Sequence, residues 1–202
     1  MVLFLLVYHL PNCARASPKD ELPNVNSVIL MAYYAWDRGF NLAVDSTYLR
    51  NRKKLTPKVP LERYQLYYEI LKNKAWKIVE YISKRREKAL LSMSIPLKTS
   101  AIKCGLGSQG KNTLLIIPNY GPRIRLISVL TTAKLDIDEP FKEDLCRNCE
   151  KCIKACPTKA LEPYRIKIKR CLVYAAENPN AKDVPKDVRK IEKKSYIETD
   201  FK

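Results

Sequence analysis

Histidine is almost missing from this chain: His9 is the single imidazole in 202 residues, and it sits in an apolar N-terminal stretch. A paired-histidine zinc protease, a histidine-rich iron site or a Ser-His-Asp triad would have to be built on that one ring, so those classes are set aside. Acidic side chains are also in deficit, 21 against 38 Lys plus Arg, for a formal net charge of +17. Such an excess favours phosphate-rich partners such as RNA, or acidic proteins. A lysine-rich composition from a heat-adapted organism would look the same, because the basic residues are spread along the chain rather than gathered in one block. Glycine is scarce, with only five residues, four of them between Gly105 and Gly121. That concentration means the backbone there needs positive φ or a close approach.

Long hydrophobic runs are lacking too. Met1–Leu10 is apolar but has no basic n-region, and it is far short of the about 20 residues needed to cross a bilayer. The expectation is a cytoplasmic protein without membrane association, with Val2–Tyr8 a buried strand. The 46% of hydrophobic residues suffices for one packed domain or two small ones.

Ser27–Trp36 (SVILMAYYAW) is short, β-branched and aromatic, and is bounded by Pro23–Asn26 and Asp37–Asn41, which predicts a second buried strand. Asp45–Pro60 reads as a basic, proline-punctuated loop. Leu61–Lys88 changes to helical period: Tyr64, Tyr67 or Tyr68, Leu71, Ala75, Ile78, Val79 and Ile82 make one stripe, with Lys72, Lys74 and Lys77 off it. Leu114–Ile117 and Ile124–Thr131 predict two strands joined in a hairpin-like turn through Asn119-Tyr120-Gly121-Pro122. Lys182–Lys202 mixes both charge signs and is expected to fray.

The chemistry lies in Cys146-Arg147-Asn148-Cys149-Glu150-Lys151-Cys152-Ile153-Lys154-Ala155-Cys156-Pro157, a C-x2-C-x2-C-x3-C-P run. That is the spacing of bacterial ferredoxin-type iron–sulfur ligation. Three thiolates so spaced can wrap one [4Fe-4S] cube, while the intervening N–H groups point at its sulfides. Lys151 and Lys154 add positive charge that would ease reduction if they lie close to the cluster. Structural zinc is the weaker reading, since it takes two cysteine pairs separated by a dozen or more residues. A disulfide framework would need a secreted context. Cys146, Cys149 and Cys152 are candidate ligands, completed by Cys156 or Cys171; in two-cluster proteins the fourth cysteine of such a run serves the other cluster, which slightly favours Cys171. Cys13 and Cys104 read as buried thiols. Gly105–Asn112 contains G-x-G-x-x-G, but it stands mid-chain before a strand rather than after the first strand, so a nicotinamide site is disfavoured.

Ala101-Ile102-Lys103-Cys104-Gly105-Leu106-Gly107-Ser108-Gln109-Gly110-Lys111-Asn112-Thr113-Leu114-Leu115, then Pro118-Asn119-Tyr120-Gly121, then the cysteine run, resembles the epoxyqueuosine reductase family and its archaeal iron–sulfur relatives. The resemblance runs from about Leu22 to Cys171. It implies an α+β protein: an N-terminal mixed α/β sheet domain (1–138) that holds a cobalamin and a small ferredoxin-like [4Fe-4S] domain (139–180) that feeds electrons to it; beyond the resemblance, the mixed charges of 181–202 read as a mobile tail. Gly105, Gly107, Gly110, Lys111 and Asn112 would then face the cofactor, and the partners would be a tRNA substrate, fitting the basic charge, and a redox partner protein. The family carries an acidic proton donor shortly before its Gly-Leu-Gly loop; Leu90–Thr99 contains no Asp or Glu. Neither a second cysteine motif nor the family's C-terminal helical repeats are found. Two functions stay open: a reductase or reductase subunit with a corrinoid in the glycine loop, and a non-catalytic electron carrier that docks through its basic surface, its cofactor cleft vestigial.

Overall fold

The computed structural model describes residues 3–8, 17–34 and 61–198. The chain divides into two compact units, Met1–Ser108 with Ile117–Glu143, and Gln109–Ile116 with Asp144–Lys202. In chain order the elements are β1 (Leu3–Tyr8), α1 (Pro18–Glu21), β2 (Ser27–Tyr34), α2 (Leu61–Ser83), β3 (Ala89–Ser92), α3 (Leu97–Lys103), β4 (Ser108–Gln109), β5 (Leu115–Ile116), β6 (Ile124–Thr131), α4 (Lys151–Lys154), β7 (Leu161–Glu162), β8 (Arg165–Ile166), α5 (Leu172–Glu177) and α6 (Lys186–Glu198). The chain is thus of mixed α and β structure.

The first unit is built on an antiparallel sheet of order β1-β2-β6-β3. β2 is central, with Leu30 opposite both Leu6 and Ser128. Ile29, Met31 and Tyr33 face α2 in one core with Ile127 and Val129, while Val28, Leu30 and Ala32, of opposite parity, are buried as well. Burial on both faces is why Ser27–Tyr34 reads as a continuous apolar run and not as an alternation. The α2 residues in this core are Tyr67, Leu71, Ala75, Val79 and Ile82, every third or fourth position, which is the stripe the sequence predicts. Leu71 is fully buried, and its removal from water contributes about 1.5–3 kcal/mol.

Three expectations need correction. The helix stops at Ser83 rather than Lys88, because the chain turns with Arg86 at φ 63° and re-enters the sheet as β3, a strand the pattern did not show. Leu114–Ile117 and Ile124–Thr131 do not form a hairpin: β5 pairs with β4, and β6 lies between β2 and β3. Only one bridge, Ile117 to Gly121, closes the turn between them, with Asn119 and Gly121 at positive φ. Within the segment expected to fray, Lys186–Glu198 is a helix, anchored at its start by Val184 and Val188, which are buried beside Ala175 of α5; residues 199–202 lie outside the described residues. The second half of the Ser27–Trp36 boundary, the Asp45–Pro60 loop and Cys13 lie outside the described residues.

Gly105 ends α3. The Leu106 N–H donates to the Ala101 carbonyl (3.0 Å) and the Gly105 N–H to Ile102 (3.1 Å), the paired bonds of a Schellman cap, with Gly105 at φ +85° as the cap requires.

Candidate metal centre

Four of the candidate cysteines sit within two tight turns and one short helix. The Cys149 N–H donates to the Cys146 carbonyl (2.8 Å) across a turn in which Arg147 takes φ 43°. α4 then carries Cys152, and the bond from the Cys156 N–H to Ile153 (3.2 Å) closes its end. Pro157 cannot continue a helix, so the chain leaves at once into Thr158, which is buried. Cys171 is the N-cap residue of α5, far along the chain but in the same unit. Arg170, beside it, donates to the Thr158 carbonyl (2.7 Å) and pairs with Asp187 of α6 (2.6 Å), tying both helices to the segment that follows the cysteine run.

The sulfurs receive main-chain donors. The Lys111 N–H points at Cys146 Sγ (3.3 Å) and the Ala160 N–H at Cys156 Sγ (3.3 Å). Burial alone would raise the Cys156 pKa, but the Ala160 N–H and the Thr158 hydroxyl outweigh it and hold the thiol below its usual range. Such N–H groups stabilise thiolate over thiol, the form that binds iron. Among the described residues no three His, Cys, Asp or Glu side chains converge as they would on one ion. A [4Fe-4S] cube takes one thiolate per iron, and the four-cysteine run together with Cys171 supplies that donor set. Among the described residues, the apolar cluster between α5 and α6 has three buried members, Ala175, Val184 and Val188. The residues fit a four-iron group.

Cys104 is different. It is fully buried, donates to the Ala101 carbonyl (3.4 Å), and burial pushes its pKa up to about 11, as expected of a structural thiol.

The glycine loop is accounted for by its own chain. A Cβ on Gly105 would stand 2.0 Å from the Glu139 carbonyl oxygen. One on Gly110 would meet Asn112 Oδ1 at 2.7 Å and Ile116 Cγ1 at 2.8 Å. Gly110 heads a turn in which its N–H donates to Leu114 (2.8 Å), the Thr113 N–H returns to it (2.8 Å), and Asn112 Oδ1 accepts from the Leu114 N–H (3.2 Å). Gly107 is buried in the first unit, whereas Gly110, Lys111 and Asn112 belong to the second. The chain's own atoms thus account for a glycine at 105 and at 110, and no step through a corrinoid is derived from them.

Sequence reasoning missed Asp144 and Tyr164. Asp144 Oδ1 accepts from the Cys146 N–H (2.9 Å) and Oδ2 from the Tyr164 hydroxyl (2.8 Å). That bond holds Asp144 below the usual carboxylate range and pushes Tyr164 up to about 12. An Asp two residues before a turn is a readable capping signal; Tyr164, twenty residues on, gives none. Also missed is Glu21 in the first unit, whose carboxylate accepts from Ser92 Oγ (2.9 Å), next to the Leu90–Thr99 segment that has no acid of its own.

Residues 139–162 match the family of 4Fe-4S binding domains. Over most of its length the chain is similar to epoxyqueuosine reductase: that of Prochlorococcus marinus (strain NATL2A) is 29% identical over 156 residues, 73% of this chain and 50% of that protein. The chain thus spans about half the length of that relative. Among solved structures, an epoxyqueuosine reductase with a tRNA-Tyr epoxyqueuosine-modified stem loop has a TM-score of 0.54 at 23% identity, covering 87% of this chain and 46% of that one. A reductive dehalogenase whose structure suggests a mechanism for B12-dependent dehalogenation has a TM-score of 0.60 at 15% identity, covering 83% and 26%. At these identities the likeness shows the fold. Among the described residues no helix is long and apolar enough to cross a membrane.

Proposed function

We propose that this protein is a cytoplasmic iron–sulfur redox protein of the epoxyqueuosine reductase type, in which a small ferredoxin-like unit delivers single electrons to an acceptor. Cys146, Cys149 and Cys152 supply three thiolates of one [4Fe-4S] cluster and Cys171 the fourth, with Cys156 the competing donor. The observation that carries the reading is the four-cysteine run inside the matched 4Fe-4S domain, with main-chain N–H groups already aimed at Cys146 and Cys156 sulfur. When bound, the cluster supplies reversible one-electron transfer. The chain's own part is to hold thiolates and offset their charge through Lys111 at Cys146 and the lysines of α4, with the Ala160 N–H doing the same at the competing donor Cys156.

Likeness to the B12-dependent dehalogenase fold favours a corrinoid as the acceptor, bound by the sheet unit; a redox partner protein is the alternative. The basic charge and the epoxyqueuosine reductase likeness favour a tRNA as the macromolecular partner. Anaerobic reconstitution followed by optical spectroscopy tests the reading. A broad iron–sulfur absorption bleached by dithionite is expected, and its absence refutes the proposal. Equilibrium dialysis against hydroxocobalamin then separates the acceptors, since retention supports the corrinoid and free passage leaves the electron-carrier function.

A further inference from the structure

The Gly110–Asn112 turn does not supply a ligand, yet its main chain reaches one. The Lys111 N–H donates to Cys146 Sγ (3.3 Å), and the Lys111 carbonyl accepts from the Tyr164 N–H (3.1 Å). Gln109 Nε2 donates to the Tyr164 carbonyl (3.0 Å), so the end of β4 holds the same residue. The Tyr164 hydroxyl donates to Asp144 Oδ2 (2.8 Å), and Asp144 Oδ1 accepts from the Cys146 N–H (2.9 Å). The bonds therefore form a ring that leaves Cys146 at its sulfur and returns at its amide. Gly110 sits within this arrangement, and a Cβ there would collide with the side chains of Asn112 and Ile116.

We propose that this ring is a potential-setting clamp on the cluster, with the Lys111 amide as the donor to the Cys146 thiolate and Tyr164 and Asp144 as positioning residues. The inference rests on the iron–sulfur reading above. An N–H donor offsets negative charge on the sulfur, and one-electron reduction increases that charge. The bond is therefore stronger in the reduced state and raises the reduction potential. The Lys111 ammonium is a further charge, one that also acts on Asp144, and its contribution can be parted from that of the N–H by substitution.

The test is an electron paramagnetic resonance-monitored redox titration of the full, anaerobically reconstituted chain, with dithionite as electron donor. Lys111→Ala removes the ammonium and keeps the N–H, whereas Lys111→Pro removes both. The reduction equilibrium of Lys111→Pro is expected to fall about tenfold below that of Lys111→Ala, ~59 mV for a one-electron couple. Tyr164→Phe should move the midpoint the same way by less. Equal midpoints in the two Lys111 variants, with the cluster intact in both, overturn the proposal. If Lys111→Pro does not load iron, Tyr164→Phe and Asp144→Asn decide, and wild-type midpoints in both overturn it. Wild-type protein that assembles no cluster sinks the underlying reading, and the clamp with it, before any variant is compared.

Discussion

Gly105 and Gly121 both sit at positive φ, +85° and +68°, but only one has a neighbour in the way. Replacing Gly105 by Ala places a Cβ 2.0 Å from the Glu139 carbonyl oxygen, a backbone atom that cannot swing aside as a side-chain tip could. The left-handed conformation costs about 1–2 kcal/mol for a residue with a Cβ. Forcing the 139–141 segment away adds about 1–3 kcal/mol, as overpacking does elsewhere. Gly105→Ala should therefore lose about 2–5 kcal/mol. For Gly121→Ala nothing lies within 4 Å, and only the conformational cost of about 1–2 kcal/mol remains. At about 3 °C per kcal/mol for a chain of this size, thermal unfolding followed by far-UV circular dichroism should drop about 6–15 °C for Gly105→Ala and about 3–6 °C for Gly121→Ala. Equal losses would show that the close approach at Glu139 is not present in solution. A Gly105→Ala protein of unaltered stability that had lost only ligand binding would restore the cofactor role to this glycine.

Leu71→Ala empties a fully buried site between α2 and the sheet and should cost about 2–5 kcal/mol in urea unfolding; a loss under about 1 kcal/mol would mean α2 is not docked as described. Burial raises the Cys104 pKa to about 11, so at pH 8 it is a protonated thiol, and in native protein iodoacetamide should modify it only when the pH approaches 11 or the chain unfolds; ready alkylation at pH 8 would contradict its burial. Iron content should survive Cys156→Ser and fall in Cys171→Ser; an intact cluster in the second variant would move the fourth ligand to Cys156.

Much of the sheet unit is legible in the residues. β1, β2, β6 and the buried stripe of α2 follow from period and apolar runs, since each pattern is generated locally by the face it buries. β3 is not legible because Ala89–Ser92 is only four residues, too short to establish a period after a long helix. Pairing is harder still. Chain order suggests a hairpin with Leu114–Ile117, yet β6 joins β2 and β3, and nothing within Ile124–Thr131 records which remote strands lie beside it. At the metal centre the cysteine spacing is readable because ligation demands it, and Gly105 because its cap demands positive φ. The Lys111 amide on Cys146 is invisible, since a backbone N–H leaves no mark in sequence and its partner is 35 residues away. Tyr164, which holds that contact, looks like any exposed tyrosine until the ring of bonds is seen.

Metal and sulfide analysis of anaerobically purified protein tests the central claim most directly. The account predicts about four irons and four acid-labile sulfides per chain, lost together in Cys149→Ala. Stoichiometric zinc with neither iron nor sulfide would contradict it.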